Sequence, residues 1–438
     1  MNYSESKKIL EANGQEHVLS FWGKLGATAR KSLLAQIATI DFKELARCRS
    51  MLPSFACDAS EKKHSKRMAA PTAPKVAKLK GKLYASAVEA GARELAAGRV
   101  GVLLVAGGQG SRLGYEGPKG AYPIGPVTDK PLFHFHARKV LAKTLKYGKS
   151  VPFYVMTSEA NYEATVACFK ENGWFGLDRK DIFFFKQGMW PGMTEDGKII
   201  LDEPGHVFMS PDGHGGLLAA LKNSGALADM KKRGVKSVFF FQVDNPLVEI
   251  ADEAFIGYHV QSKSEYSLKL CAKRDPFEKV GMPMKFGNVF KMVEYTEMTD
   301  EQCKRKGKDG KLYFLYGSPA IHVFDRAFLE RESMKPMPLH LAHKKIAYLD
   351  SNGEVVKPSA PNAYKFEKFI FDILPDAKKV AFLAFDQKDE FSPVKNAEGA
   401  DSPATCKADM QSKWRRQLAE RGILIDDNAT LEVDPCSL

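Results

Sequence analysis

The chain has 438 residues, 44% hydrophobic and 27% charged, an ordinary globular balance long enough for two or three domains. Its net charge of +12 comes from 65 basic and 53 acidic residues spread along the chain rather than held in one block; it suits either a nucleic-acid partner or the steering of a small polyanion, and charge alone does not decide. No run approaches the ~18 apolar residues of a membrane span, "MNYSESKKIL" lacks a signal-peptide core, and seven scattered cysteines without a CxxC pair argue against zinc and disulfides, so a soluble cytoplasmic protein is expected.

In chain order, residues 1–68 read as helices, opening in "SESKKILEANGQEHVLSFWGKL" with Ser4 as cap. "KKHSKR", 62–67, reads as solvated surface, and the Ala/Pro/Lys-rich "AAPTAPKVAK", 69–78, as a connector. A helix over "LYASAVEAGARELAAG" then leads into the glycine-rich "VAGGQGSRLGYEGPKG". From about 100 to 345, strand candidates (VGVLLVA, VPFYVMT, IFFFKQ, SVFFFQVD, YSLKLCA) alternate with helical stretches such as "LFHFHARKVLAKTLKYG" and "GGLLAALKNSGALADMKKRG". Near-continuous apolar strands separated by helices predict a mostly parallel Rossmann-like α/β sheet covered on both faces, with ligands at the carboxyl ends of its strands. Residues 346–438 add the strand-like KKIAYLD, KFEKFIFDIL and KKVAFLAFD and a terminal helix around "KADMQSKWRRQLAERG". The expected organisation is therefore a helical N-terminal region (1–95), a central α/β domain (96–345) and a small C-terminal region (346–438).

The glycine turn carries the first chemistry. Gly107, Gly108, Gly110 and Gly114 miss the dinucleotide fingerprint, which wants glycine where Leu113 stands, and they miss the P-loop as well. What remains is a backbone that can come close to a nucleotide, with Arg112 and Lys119 as fixed cations for a polyphosphate. In "FFFQVDNPL", Asp244 ends a buried strand, where a carboxylate either holds a divalent ion such as Mg²⁺ or caps the helix of "PLVEIADEAF". "SPDGHGGLLAAL" sets Gly213 and His214 at the mouth of an apolar helix, in either a ligand-binding or a structural role. Two-residue alternation puts Phe369 and Phe371 on one face of a strand, as core or as ligand wall, and Lys395 lies in the polar loop "EFSPVKNA".

Together, "LLVAGGQGSRLG…PKG", "FFFKQGMWPGM…GKIIL", "PDGHGGL", "VDNPLV", "KFEKFIFDIL" and "DEFSPVKNA" resemble the eukaryotic-type UDP-N-acetylhexosamine pyrophosphorylases, within the larger UTP–sugar-1-phosphate uridylyltransferase family. The resemblance spans roughly residues 96–405, six motifs in one order. It implies a Mg²⁺-assisted, in-line attack of N-acetylglucosamine-1-phosphate on the α-phosphate of UTP, releasing pyrophosphate. It further implies Gly107 and Gly108 against uridine and its phosphates, Arg112 and Lys119 on the triphosphate, and Gln187 on the uracil edge beside Gly213. Asp244 is implied to hold Mg²⁺, Gly281 to line the sugar site, Phe369 and Phe371 to wall the N-acetyl pocket, and Lys395 to contact the sugar phosphate. The C-terminal region would complete the sugar-phosphate site.

Three departures stand out. His214 replaces the asparagine of the family's PDGNGG, as in glucose-type relatives, and Tyr316-Gly317-Ser318 replaces its A-G-N. The chain is also shorter at its C-terminus than the eukaryotic enzymes. A UTP–glucose-1-phosphate or broad-specificity UDP-sugar pyrophosphorylase is therefore the alternative reading. A non-catalytic nucleotide-binding module would bind UTP without releasing pyrophosphate, and the intact Arg112, Lys119 and Asp244 speak against it.

Overall fold

The computed structural model of the chain describes residues 1–54 and 71–437; the basic run at 62–67 and the start of the expected connector lie outside the described residues. Its centre is a seven-stranded sheet. In chain order the strands are β1 (Val100–Val105), β2 (Phe153–Thr157), β3 (Ile182–Lys186), β4 (Ser237–Gln242), β5 (Tyr266–Ala272), β6 (Tyr316–Asp325) and β7 (Val380–Phe385). They lie side by side as β7-β5-β6-β4-β1-β2-β3. Only β6 runs against its neighbours; every other pairing is parallel. The five apolar runs expected between 100 and 272 are all members of this sheet, and KKVAFLAFD supplies its β7 edge.

The strands are nearly unbroken apolar text because both faces are covered. Val102, Leu104, Phe239 and Phe241 pack with Phe133 and Val140 of the Leu132–Tyr147 helix and Phe255 of the Glu253–Gln261 helix. Alternate residues point the other way, and there the Tyr154 hydroxyl donates to Asp229 in the Ala226–Lys232 helix at 2.7 Å. On the same side Phe328, in the Arg326–Glu332 helix, meets the ring of Tyr266.

The chain divides into two compact units, neither of which is one continuous stretch. The larger takes Met68–Gln187, Leu217–Pro336 and Phe371–Leu438 and contains the sheet; the smaller takes Met1–Arg67, Gly188–Gly216 and Met337–Ile370. In the smaller unit, helices Tyr3–Ala12, Ala27–Thr39 and Phe42–Ser50 bury Leu10, Leu33, Ile37 and Leu45 together with Trp190, Met193, Ile199, Val207 and Phe366. Buried Gln15 stitches them, its amide donating to the Gly197 carbonyl at 2.9 Å and accepting from the Ile199 N–H at 2.8 Å. Strand Ala363–Glu367 lies between His340–Lys344 and Met193–Thr194, and Met189–Pro191 pairs with Met209–Pro211.

Two local expectations are corrected. The first helix is capped by Asn2, not Ser4, in a reciprocal box in which Asn2 accepts from the Glu5 N–H while Glu5 accepts from the Asn2 N–H. Phe369 and Phe371 do not share a strand face, because the strand stops at Glu367 and Ile370–Asp376 is a 3₁₀ helix. The cause is a competing backbone bond, from the Lys368 N–H to the Asp212 carbonyl at 2.8 Å, which draws the chain off the strand.

Candidate functional site

The sheet order fixes where a ligand can enter the larger unit. From β1 the chain moves outward through β2 and β3, then returns to β4 on the other side of β1. The carboxyl ends of β1 and β4 therefore flank a topological switch point, the crevice where open α/β sheets bind ligands. Register pairs Val105 with Gln242, and the Val243 N–H donates to the Val105 carbonyl at 3.1 Å. The glycine turn and Asp244 consequently leave the sheet side by side.

The turn is held in shape by its own backbone. Gly110 donates to the Gly117 carbonyl at 2.9 Å and Lys119 to that of Gly108 at 3.0 Å. Among the described residues the N–H groups of Gly107 and Gly108 have no such partner, and a Cβ on Gly108 would meet nothing within 4 Å. Arg112 is exposed and Lys119 half-buried, and neither has a carboxylate partner among the described residues. Free amides beside unneutralised cations suit an oxyanion-rich ligand.

Gln187 leaves β3 with its N–H on the Thr157 carbonyl at 2.8 Å, and its side chain lies against Gly107. A Cβ on Gly107 would stand 2.7 Å from the Gln187 amide nitrogen, so glycine here keeps the amide beside the turn. The glycine turn and Gln187, from two separate motifs, are thus brought together.

Asp244 is not a helix cap: the next helix is Glu253–Gln261, and Asp252 caps it. Its carboxylate has no ion pair or hydrogen-bond donor among the described residues. One hard oxygen-bearing side chain fits Mg²⁺, which takes one or two carboxylates and completes its shell with water and substrate phosphate. Among the described residues no cluster of three or more His, Cys, Asp or Glu could hold a metal.

Lys395 is tied to the same turn. Val394 donates its N–H to the Asp244 carbonyl at 2.8 Å, and Asn245 spans the two segments, donating to the Glu390 carbonyl at 2.7 Å and accepting from the Ser392 N–H at 3.1 Å. Gly281 and Ser318 are paired as well, the Ser318 N–H donating to the Gly281 carbonyl at 2.8 Å.

In the smaller unit Gly213 and His214 form a closed knot with residues 367–370. Gly215 donates to the Lys368 carbonyl at 2.8 Å, and His214 Nδ1 accepts from the Ile370 N–H at 3.1 Å. That bond fixes the neutral ring's proton on Nε2. The Phe369 ring stacks on His214 with centroids 5.4 Å apart and meets His340 at 4.4 Å. Phe371 belongs to the larger unit and is described with it, half-buried in its 3₁₀ helix.

Sequence reasoning missed the supports beneath these residues. Buried Asn161 donates to the carbonyls of Ala106 and Gly108 at 2.9 and 3.2 Å while accepting from the Ser158 N–H at 2.8 Å, so one side chain pins both limbs of the turn's entry. Lys269, 1% exposed inside β5, reaches Asp252 at 2.7 Å and also Glu390, which anchors the Asn245 clasp. Burial works against its charge, but the two carboxylates outweigh that and hold its pKa above the ordinary lysine value. A lysine in the middle of "YSLKLCA" is the signal that could have found this network. Asp212 is 5% exposed, its Oδ1 has no partner, and burial raises its pKa, only partly countered by Lys368.

A doubly wound sheet with an open glycine turn and a carboxylate at its switch point defines a nucleotide-binding α/β protein. The chain belongs to the UTP–glucose-1-phosphate uridylyltransferase family, which it matches over residues 50–401, and is accordingly a nucleotidyltransferase. It is 37% identical to human UDP-N-acetylhexosamine pyrophosphorylase-like protein 1 over 434 residues, covering 94% of this chain and 85% of the human one. It is 33% identical to the UDP-N-acetylglucosamine pyrophosphorylase of Saccharomyces cerevisiae over 457 residues, with 98% and 94% covered. The fold is similar to the uridine diphosphate N-acetylglucosamine pyrophosphorylase of Trypanosoma brucei, solved with an inhibitor, at a TM-score of 0.80 and 27% identity over 94% of this chain and 85% of that one. The expected α/β fold and the family read from the six motifs are both borne out. Among the described residues no helix is long and apolar enough to cross a membrane.

Proposed function

We propose that the protein joins UTP and N-acetylglucosamine-1-phosphate to form UDP-N-acetylglucosamine and pyrophosphate, in the cytoplasm. The observation that carries this reading is the pairing at the switch point: an open glycine turn with free amides after β1, and Asp244, bonded through its carbonyl to the Lys395 segment, after β4. The relatives named for N-acetylglucosamine select the sugar.

In this reading Gly107 and Gly108 receive the uridine and its phosphates, Gln187 reads the uracil edge and Arg112 and Lys119 neutralise the triphosphate. Lys395 holds the phosphate of the incoming sugar, and Gly281, Ser318, His214, Gly213, Phe369 and Phe371 serve the sugar and base. Both reactants already carry their nucleophile and leaving group, so the chain supplies no general base and forms no covalent intermediate. Its residues hold two anions in line and offset charge as it moves to the departing pyrophosphate. Asp244 would hold Mg²⁺, which when bound draws phosphate oxygens together and offsets their charge.

His214 and Ser318 each remove an amide that the family places near the sugar. A site that loses hydrogen bonds but keeps an apolar wall discriminates by only about 1–3 kcal/mol. The enzyme is therefore expected to prefer N-acetylglucosamine-1-phosphate while accepting glucose- or galactose-1-phosphate appreciably. Pyrophosphate release from UTP with each of the three sugar phosphates tests this. A preference for glucose-1-phosphate above about tenfold, roughly 1.4 kcal/mol, overturns the sugar assignment, and UTP binding without any release overturns the reaction.

A further inference from the structure

Apart from the glycine turn, the larger unit holds a cavity of about 610 Å³, the size of a small-molecule site. Its floor is apolar, formed by Phe135, Leu247, Met410 and Trp414, with the rings of Phe135 and Trp414 5.9 Å apart. Its wall is cationic: among the described residues Lys139, Lys143, Lys146 and Lys413 share it with two carboxylates, Glu249 and Glu253. Both carboxylates are engaged: Glu253 takes Lys143 at 2.7 Å and Lys146 at 2.8 Å, and Glu249 takes Lys413 at 3.3 Å.

Lys139 is left with neutral partners. Its ammonium donates to the main-chain carbonyls of Pro246 and Val248 at 2.5 and 2.7 Å, and among the described residues no carboxylate lies within ion-pair distance of it. Burial pulls its pKa down to about 7 and the neighbouring Lys413 pushes the same way, the more distant carboxylates of Glu249 and Glu390 countering only part of it. A desolvated ammonium beside a second lysine is a charge without its counter-ion. The excess of cations and the aromatic floor favour the same ligand: an acid group bonds strongly to a lysine screened from water, and a ring gains by covering Trp414.

We propose that this cavity is a binding site, separate from the uridylyl-transfer site, for a small organic anion with an aromatic body, whose acid group meets Lys139 and Lys413 while its ring lies on Leu247 and Trp414. The cavity's lining shares no residue with the glycine turn, Asp244 or Lys395.

The test uses the full chain without substrates, which keeps its outcome independent of the proposed reaction. The probe is 8-anilinonaphthalene-1-sulfonate, compared with its uncharged analogue N-phenyl-1-naphthylamine. Expected are saturable one-to-one binding with energy transfer from tryptophan that drops in Trp414→Phe, and affinity at least about tenfold weaker for the uncharged analogue, as for loss of one charge-assisted contact. Lys139→Met and Lys413→Met should each weaken the sulfonate by a similar factor. Lys413 is only partly buried and keeps a carboxylate partner in Glu249, so its variant carries the test if Lys139→Met does not fold. Equal affinity for the two probes, unchanged binding in both lysine variants, or no saturable binding overturns the site.

Discussion

The two glycine-rich turns, GGQG at 107–110 and GHGG at 213–216, look alike as text and do opposite things. In the first, Gly108 keeps space empty: a Cβ there would touch nothing within 4 Å, and its amide and that of Gly107 have no backbone partner, while Gly107 and Gly110 pack against Gln187 and Tyr115 at the turn's edges. In the second, glycine lets the chain fill its own space: a Cβ on Gly213 would lie 2.5 Å from the Lys368 carbonyl oxygen, and one on Gly215 2.5 Å from the Phe369 nitrogen. An open turn presents amides to something else, whereas a closed one has already spent them on its own fold. Glycine spacing alone does not separate the two cases; what the neighbouring backbone does decides it.

The strongest test of the open region is Asp244→Ala. Loss of an electrostatic contact to the transferring phosphates should lower kcat by about 10²–10³, and full activity in EDTA would remove the metal from the mechanism. Next is a matched pair that sets the turns against each other. Gly213→Ala adds a side chain at φ +80 and a backbone clash, and should cost roughly 2–4 kcal/mol, lowering Tm by about 5–10 °C. Gly108→Ala should leave Tm within about 1 °C and instead raise KM for UTP; equal melting losses in the two variants would dissolve the distinction.

A smaller effect is expected at Gln187, whose amide has both a donor and an acceptor for a base edge. Gln187→Ala should narrow the UTP-to-CTP ratio of kcat/KM by about tenfold, the cost of one unpaired polar contact, and an unchanged ratio would move base selection to the turn's backbone. The smallest concerns the closed region. Asp212 has a raised pKa in the fold, so its proton is bound more tightly there than in the unfolded chain. Its stabilisation is complete below the unfolded carboxylate pKa and is lost as pH rises through the raised value. Asp212→Asn should therefore melt a degree or two above the native protein at pH 8, roughly, and lose that advantage near pH 4; a gain that is the same at both pH values would show that the carboxylate does not titrate with folding.

Much of the sheet was legible because buried parallel strands must be apolar throughout, as "VGVLLVA" and "SVFFFQVD" are. The turn, its two cations and Asp244 were legible because they stand where such strands end. Phe369 and Phe371 were misread because alternation assumes that the strand continues, and a single bond from Lys368 to Asp212 ends it. Asn161, Glu390 and Asp212 were invisible for a related reason. A buried polar side chain owes its place to partners far along the chain, as Lys269 and Glu390 do across 121 residues, and periodicity carries no such information.

The stitch between Gln15 and Ile199 spans 184 residues, and this has a consequence during synthesis. At translation rates of about 5–20 residues per second, the first helices leave the ribosome roughly 10–40 s before Ile199 is made. Through that interval Leu10, Leu33 and Ile37 have no Trp190, Ile199 or Phe366 to cover them. The nascent chain must therefore carry an uncovered apolar face while the β1–β3 portion of the sheet is being made, and that face is exposed to premature association until the later residues emerge.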